Sequence, residues 1–180
     1  MGYGLDELID DCRKALGDDR PAAAAREAIR LCCIRACKDD DFVARWFAPS
    51  PDNDSARRLL YEDPDFAFCI LSHSRSLPGR SPPHDHGSSW AIYAQVEGHT
   101  DMTDWRVVES MKEAPMRTRK QVELAAQRRL QRGDAFLYNE GDIHSPAFEG
   151  PSRFLRIEGR NLFGQPRNEF DVVDLAGKGA

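Results

Sequence analysis

The stretch "PPHDHGSSWAIYAQVEG", residues 82–98, places two histidines one residue apart, directly ahead of a run with the alternation of a β-strand. In extended backbone, side chains at positions i and i+2 point to the same face, so His84 and His86 can aim at one point inside a sheet. Imidazole is the commonest metal ligand in proteins, and two imidazoles on one face are the minimal beginning of a site for a first-row metal. The stretch therefore predicts half of a metal site.

A third ligand is expected from a distant part of the chain, because two imidazoles alone do not hold a metal tightly. The stretch "GDAFLYNEGDIHSP", residues 133–146, offers His144, which we expect at the start of a turn between two strands. The two other histidines that we considered, His73 and His99, have a simpler explanation. We expect them to be exposed or singly hydrogen-bonded at strand ends.

The chain around these histidines divides into two kinds of pattern. Apolar residues recur at intervals of three and four from Leu5 to about Leu16 and from Pro21 to about Phe47, which predicts helices. After the turn-rich residues 48–55 the period changes to two, which is typical of a small β-barrel or sandwich. The predicted strands are "RRLLYED", "FAFCILSHS", "WAIYAQVEG", "DMTDWRVVE", "VELAAQRRL", "DAFLYNE" and "SRFLRIEGRNL". We thus predict a helical segment over residues 1–50 and a mainly β domain over 51–180, with a polar, mobile excursion at 109–120.

Composition narrows the classes of partner. A formal charge of −5 and an isoelectric point near 5.6 provide no basic surface for nucleic acid or an anionic membrane. No apolar run approaches the roughly 20 residues that span a bilayer, and the amino-terminal stretch has the charges of an amphipathic helix. The five cysteines lack scaffold-like spacing, which favours reduced thiols. We expect a cytoplasmic protein that binds a small molecule.

Both histidine stretches resemble the two motifs of the cupins. Gly79, the His-x-His pair and Gly98 are similar to the first motif, and "GDAFLYNEGDIH" is similar to the second, with Asn139 where proline is usual. The resemblance implies a small β-barrel, the double-stranded β-helix or jelly roll, with a metal bound inside it. Most cupins add a glutamate four or five residues after the second histidine, where this chain has Trp90 and Ala91.

Without this glutamate, the first motif resembles that of the thiol dioxygenases, cysteine dioxygenase and 3-mercaptopropionate dioxygenase. These enzymes hold iron(II) with three histidines. This resemblance implies that His84, His86 and His144 bind iron(II), with zinc, nickel or manganese as alternatives, and that dioxygen and a small carboxylic acid are the substrates. It also implies that Arg58 takes the substrate carboxylate. A solvated strand edge is the alternative for that arginine, and a homodimer is a family expectation.

The late strand departs from the thiol dioxygenases, which carry serine, histidine and tyrosine where this chain has Phe154, Arg156 and Glu158. Arg156 and Glu158 either form an inward ion pair that holds a polar substrate or lie on the outer face of the barrel. By alternation, Tyr93 and Gln95 share a face with Ala91 and are further candidates for substrate binding.

The role of Tyr93 and the class of reaction stay open at this point. Tyr93 either supplies a catalytic phenol or fills the barrel core. An iron(II) dioxygenase is the favoured function. The alternatives are a lyase, isomerase or hydrolase in which the metal is a Lewis acid, and a cupin that binds a small ligand without catalysis.

Overall fold

The computed structural model describes residues 2–48, 57–108 and 120–173. Three helices precede the strands: α1 (Leu5–Gly17), α2 (Ala22–Lys38) and α3 (Asp40–Trp46). The single helix predicted from Pro21 to about Phe47 is therefore interrupted. Asp39 has an extended backbone, and its side chain accepts hydrogen bonds from the Phe42 amide at 2.9 Å and the Tyr3 amide at 2.8 Å. An aspartate that caps a new helix in this way ends the one before it.

In the part of the chain that the structure describes, ten strands follow the helices. They are β1 (Arg57–Glu62), β2 (Cys69–Arg75), β3 (Gly79–Arg80), β4 (Ala91–Glu97), β5 (Thr100–Val107), β6 (Gln121–Leu130), β7 (Ala135–Tyr138), β8 (Ile143–Phe148), β9 (Ser152–Glu158) and β10 (Asp171–Val172). One sheet has the order β1-β2-β9-β4-β7 and the other the order β10-β6-β5-β8-β3. This mainly β jelly roll with an amino-terminal helical segment confirms the predicted fold class.

The middle of the first sheet is buried on both faces, and alternation along β4 shows why. Ile92, Ala94 and Val96 belong to an apolar core that the sheet shares with the helices. Ala91 and Tyr93 point the other way, into the barrel interior. Helices covering one face of a sheet, with a second sheet on the other face, are a common layered solution to burying both surfaces. The barrel interior is consequently sealed from the helical side.

Strand β8 was not predicted from the sequence, because Pro146 lies in its middle. Its neighbours are β5 and the two-residue strand β3. The Pro146 carbonyl accepts a hydrogen bond from the Ser81 amide at 3.0 Å, so the missing amide hydrogen of the proline faces the short strand. His144 accordingly lies within a strand, and the expectation that it begins a turn is wrong.

One glycine of the first histidine stretch is required by close packing. Gly98 connects β4 to β5 with φ +67°, and a Cβ atom there would lie 2.3 Å from the Pro151 carbonyl oxygen.

Among the described residues, no helix is long and apolar enough to cross a membrane. The predicted boundary near residue 50 and most of the excursion predicted at 109–120 lie outside the described residues.

Candidate metal centre

Backbone pairing brings the first and third histidines of the predicted metal set together. His84 and His144 lie opposite each other and exchange two hydrogen bonds, with N···O distances of 3.0 and 2.9 Å. His86 follows on the same face as His84, whereas Asp85 between them accepts hydrogen bonds from the Gly87 amide and the Asn168 side chain. Alternation thus separates the two imidazoles from the intervening carboxylate.

The three rings form a compact buried cluster. One nitrogen from each ring lies within 4.8 Å of the other two. His84 is 3 % exposed, His86 is 6 % exposed and His144 is fully buried. His84 Nδ1 lies 2.9 Å from the Pro82 carbonyl oxygen, an acceptor that keeps the proton on Nδ1 and leaves the Nε2 lone pair free. His144 Nδ1 has a longer contact, 3.4 Å, with the Asp142 carbonyl.

Electrostatics keep all three rings neutral near pH 7. Burial lowers the pKa of His84 to about 4. Burial, followed by the nearby Arg156 guanidinium, lowers the pKa of His86 far below its usual range. Burial and the neighbouring histidine lower the pKa of His144 in the same direction. Neutral imidazoles have the free lone pairs that metal ligation requires.

Tyr93 fills the barrel core and also lies beside the histidines. It is 4 % exposed and belongs to the interior core of the barrel. Its hydroxyl also lies 3.3 Å from His86 Nε2 and 3.3 Å from His144 Nε2. Burial raises the pKa of this phenol. The side chain therefore places a protonated hydroxyl beside the nitrogens that would ligate a metal.

The ion pair between Arg156 and Glu158 is inward, which decides between the two arrangements left open above. Arg156 Nη2 lies 2.7 Å from Glu158 Oε1 and 3.0 Å from His86 Nε2. The guanidinium lies over the Tyr93 ring, 4.9 Å from its centroid. In the described part of the chain, Arg156 Nε is buried without a hydrogen-bond partner, as is His86 Nδ1. Such orphaned polar atoms are rare in native interiors.

A buried carboxylate on the neighbouring strand lies beside the position that follows the second histidine by five residues. Glu158 pairs in register with Ala91, so its side chain enters the barrel beside the position where most cupins carry glutamate. Trp90 packs instead into the core shared with the helices. Glu158 is 1 % exposed and also contacts Arg57, with an Nη2···Oε2 distance of 3.2 Å. Alternation indicated only that Arg156 and Glu158 share a face, because the pairing partner of β9 depends on the fold.

Two predicted substrate residues are placed elsewhere. Arg58 is exposed, and its guanidinium donates to the Trp46 carbonyl at 2.6 Å, so it does not reach the histidines. Arg57, the neighbouring residue, lines a cavity that also contains His84 and His86 and is described below. Gln95 does point into the barrel, but it lies at the other end of β4, where Ser152 and Thr100 satisfy its amide.

The remaining histidines contrast with each other. His99 makes a single contact with Glu149, 3.2 Å between Nε2 and Oε2, as expected. His73 stacks on Phe154 with ring centroids 4.7 Å apart, and its Nε2 is buried without a partner among the described residues. The expectation that His73 is exposed or hydrogen-bonded is therefore wrong for that nitrogen.

A cavity of about 200 Å³ opens beside the histidine cluster. Its walls are Arg57, His84, Asp85, His86, Arg156, Glu158 and the segment 162–167, which ends in Arg167. That segment precedes Asn168 and Glu169, which pair with Asp85 and His84 and so hold it across the barrel mouth. A larger cavity, about 620 Å³ beside β5, β6 and β8, contains no histidine. The smaller one is therefore the candidate active site.

No family model matches the chain, and no curated protein matches it. Among solved structures, a Klebsiella pneumoniae protein with a double-stranded β-helix domain is similar over 72 % of this chain and 88 % of its own, at 12 % identity and a TM-score of 0.48. KdgF from Halomonas is similar over 61 % and 82 %, at 18 % identity and a TM-score of 0.42. A cupin from Desulfitobacterium hafniense is similar over 63 % and 84 %, at 12 % identity and a TM-score of 0.44.

Proposed function

We propose that this protein is a metal-dependent enzyme of the mononuclear iron(II) dioxygenase type that acts on a small carboxylic acid. One observation carries the proposal. Three buried neutral imidazoles converge on one point, and the Tyr93 hydroxyl and the Arg156 guanidinium lie 3.3 and 3.0 Å from His86 Nε2. A position for a metal, a proton donor and a group that could bind a carboxylate thus lie next to one another around His86.

The residues fit a divalent first-row metal. Three imidazoles suit iron, zinc and nickel, and their neutrality leaves the full charge of the ion in place. The contact of His84 Nδ1 with the Pro82 carbonyl orients one ring, as a hydrogen bond to the other ring nitrogen commonly does for histidines that bind metals. When bound, iron(II) held by three neutral nitrogens supplies open coordination positions and redox chemistry.

Arg156 is the residue that would bind the substrate carboxylate. Guanidinium groups bind carboxylates in a bidentate arrangement, and Arg156 retains a buried Nε without a partner in the described residues. Glu158 and the Tyr93 ring hold the side chain on two sides. A substrate acid bound there would be positioned beside His86, and such positioning is a large part of catalysis.

Tyr93 would donate and retake a proton at its hydroxyl oxygen. Its raised pKa keeps the proton on the phenol near pH 7, so the group acts first as a donor. Two aromatic rings pack against Tyr93: Tyr138 edge-on at 5.8 Å and Phe154 tilted at 5.7 Å between ring centroids. They fix the direction of the phenol and exclude water from its ring. Tyr93→Phe should therefore lower kcat more than it raises KM.

A second candidate is a lyase, isomerase or hydrolase in which the metal acts as a Lewis acid. The buried Glu158 carboxylate favours it, because carboxylates near a polarised substrate commonly act as general bases. Glu158 is, however, already bound by two arginines, with oxygen to nitrogen distances of 2.7 and 3.2 Å. These contacts occupy both carboxylate oxygens and fix the side chain between the two arginines, so we favour the dioxygenase.

Metal analysis is the first test. The purified protein should contain about one divalent metal per chain, and the double variant His84→Ala, His144→Ala should lose it. His99→Ala is the matched control, since His99 lies outside the three-ring cluster, beside Asp101 and Glu149 nearer the surface, and the metal at the cluster should be retained. Stoichiometric metal in the double variant would disprove the proposed ligands.

Oxygen consumption is the second test. The anaerobically iron-loaded protein should consume dioxygen with at least one member of a panel of small thiols and other small acids. The His84→Ala, His144→Ala variant should be inactive with all of them. Absence of uptake across the panel would reject the dioxygenase proposal and favour Lewis-acid chemistry, whereas metal without turnover of any kind would indicate a ligand-binding protein.

A further inference from the structure

The cavity beside the histidines has an excess of positive charge. Three guanidiniums line it, those of Arg57, Arg156 and Arg167, against the two carboxylates of Asp85 and Glu158. His84 and His86 also line the cavity, and any metal that they bind adds charge of the same sign. Focusing of like charges in a small cleft strongly favours ligands of the opposite sign.

Both carboxylates of the cavity already have donors. Glu158 accepts from Arg57, from Arg156 and, at 3.2 Å, from the Leu162 amide. Asp85 accepts from the Gly87 amide at 2.9 Å and from Asn168 Nδ2 at 3.1 Å. An ammonium group on a ligand would compete with these donors for the carboxylate oxygens. Among the described residues that line the cavity, no carboxylate is left without a donor to balance a cationic substituent.

Two of the guanidiniums retain donors for a ligand. Arg156 Nε is buried without a partner in the described residues, and a buried donor left unpaired costs roughly 1–3 kcal/mol. Arg167, whose side chain is 44 % exposed, contacts Glu169 through Nη2 alone, at 3.3 Å. Arg156 lies deep beside His86, and Arg167 lies on the segment at the mouth. The donors are therefore available at both the inner and the outer side of the cavity.

Volume limits the ligand to a small molecule. The cavity holds about 200 Å³, and a water molecule occupies roughly 30 Å³, so there is room for about seven water-sized groups. This is below the roughly 300 Å³ at which sites for drug-sized ligands begin. Two acidic groups separated by one or two carbons match both the volume and the two sets of donors.

From this charge, donor and volume pattern we infer that the site takes a small dianion without an ammonium group. Arg156 holds the inner acidic group and Arg167 holds the outer one. The inference deepens the proposed function, and rests on it in assuming that this cavity receives the substrate. It predicts discrimination against amino acids as well as against simple monoacids.

Calorimetric titration of the zinc-loaded full chain tests this directly, with malonate, succinate, propionate and aspartate as probes. Malonate or succinate should bind at least tenfold more tightly than propionate. Succinate should bind at least tenfold more tightly than aspartate, which differs from it by one ammonium group. Equal affinity for succinate and aspartate, equal affinity for di- and monocarboxylates, or no binding of either diacid would overturn the inference.

The variant Arg167→Gln separates the outer contact from the fold, because Arg167 lies at the exposed mouth. It should weaken malonate binding at least tenfold and leave propionate binding within twofold. Arg106→Gln is the matched control, since Arg106 is an exposed arginine of β5 that is paired with Glu123 and does not line the cavity. Unchanged malonate affinity in Arg167→Gln would overturn the assignment of that residue.

Failure of the inference and failure of the proposed function give different results. Selective diacid binding together with no oxygen uptake would retain the dianion and reject the dioxygenase. Oxygen uptake that is fastest with a monoacid or with an amino acid would do the reverse.

Discussion

The two ends of the barrel interior both bury polar side chains, but they treat them differently. At the far end, which we define as Gln95, Thr100 and Ser152, the Gln95 amide donates to Ser152 at 2.8 Å and accepts from Thr100 at 2.7 Å. At the metal end, which we define as the three histidines with Tyr93 and Arg156, His86 Nδ1 and Arg156 Nε lack partners among the described residues.

This difference separates a structural network from a functional one. A satisfied buried network stabilises one conformation, and its members need nothing from outside. An unsatisfied network is costly unless a ligand completes it, so it is expected where ligands bind. Gln95 and Tyr93 share a strand face in the sequence, yet only Tyr93 belongs to the end that we expect to react.

The largest effect should come from removing a ligand at the metal end. His144→Ala deletes a fully buried imidazole on which Tyr138 stacks, with ring centroids 3.9 Å apart. Loss of one of three ligands should weaken metal binding about 1000-fold or more, equal to about 4 kcal/mol. Competition with a fluorescent chelator measures this, and affinity within tenfold of the parent protein would contradict the site.

Acid should destabilise the metal-free protein through the same end. The pKa of His84 is about 4 in the folded protein and near 6.5 when unfolded, so the unfolded chain binds more protons between these values. The contribution of His84 to the free energy of unfolding should be fully present above pH 6.5 and about 3 kcal/mol smaller at pH 4, and the lowered pKa values of His86 and His144 act in the same direction. Urea titrations of chelator-treated protein check this.

The control for the acid effect is His84→Gln, which removes one titrating ring. Its free energy of unfolding should depend less steeply on pH over the same range, because fewer protons are taken up on unfolding. A parent protein whose stability is unchanged between pH 7 and pH 4.5 would show that the rings are not buried in a neutral form.

At the far end, Gln95→Leu should affect stability and not function. It leaves the partners of a fully buried amide unsatisfied, which costs roughly 1–3 kcal/mol. Metal content and diacid affinity should stay within twofold of the parent values. A change in metal affinity larger than tenfold, measured on protein that remains folded by circular dichroism, would remove the distinction between the two ends.

The smallest effect is expected at the adjacent arginines of β1. Arg58→Gln removes an exposed contact with the Trp46 carbonyl and should change stability by less than about 0.5 kcal/mol and diacid binding not at all. Arg57→Gln removes a contact with buried Glu158 and should weaken diacid binding several-fold. Titrations of the two variants in parallel provide the comparison, and a reversed order would restore Arg58 to the site.

Several features were predictable because they depend on local pattern. The period of two predicted the strands around the histidines, and alternation along β9 placed Arg156 and Glu158 on one face. Strand β8 was missed because Pro146 is rarely tolerated in a strand and is accommodated here only beside the two-residue β3. Arg58 was the predicted carboxylate ligand, but Arg57 lines the cavity, because nothing local fixes which face of an edge strand turns inward.

The sequence alone predicted the jelly-roll class, the same-face pair His84 and His86, and His144 as their distant partner. It did not predict that Glu158 lies opposite Ala91 or that Arg156 contacts His86, a residue 70 positions away. Local alternation follows from backbone geometry, whereas the register between remote strands is set by packing and hydrogen bonding of the whole barrel.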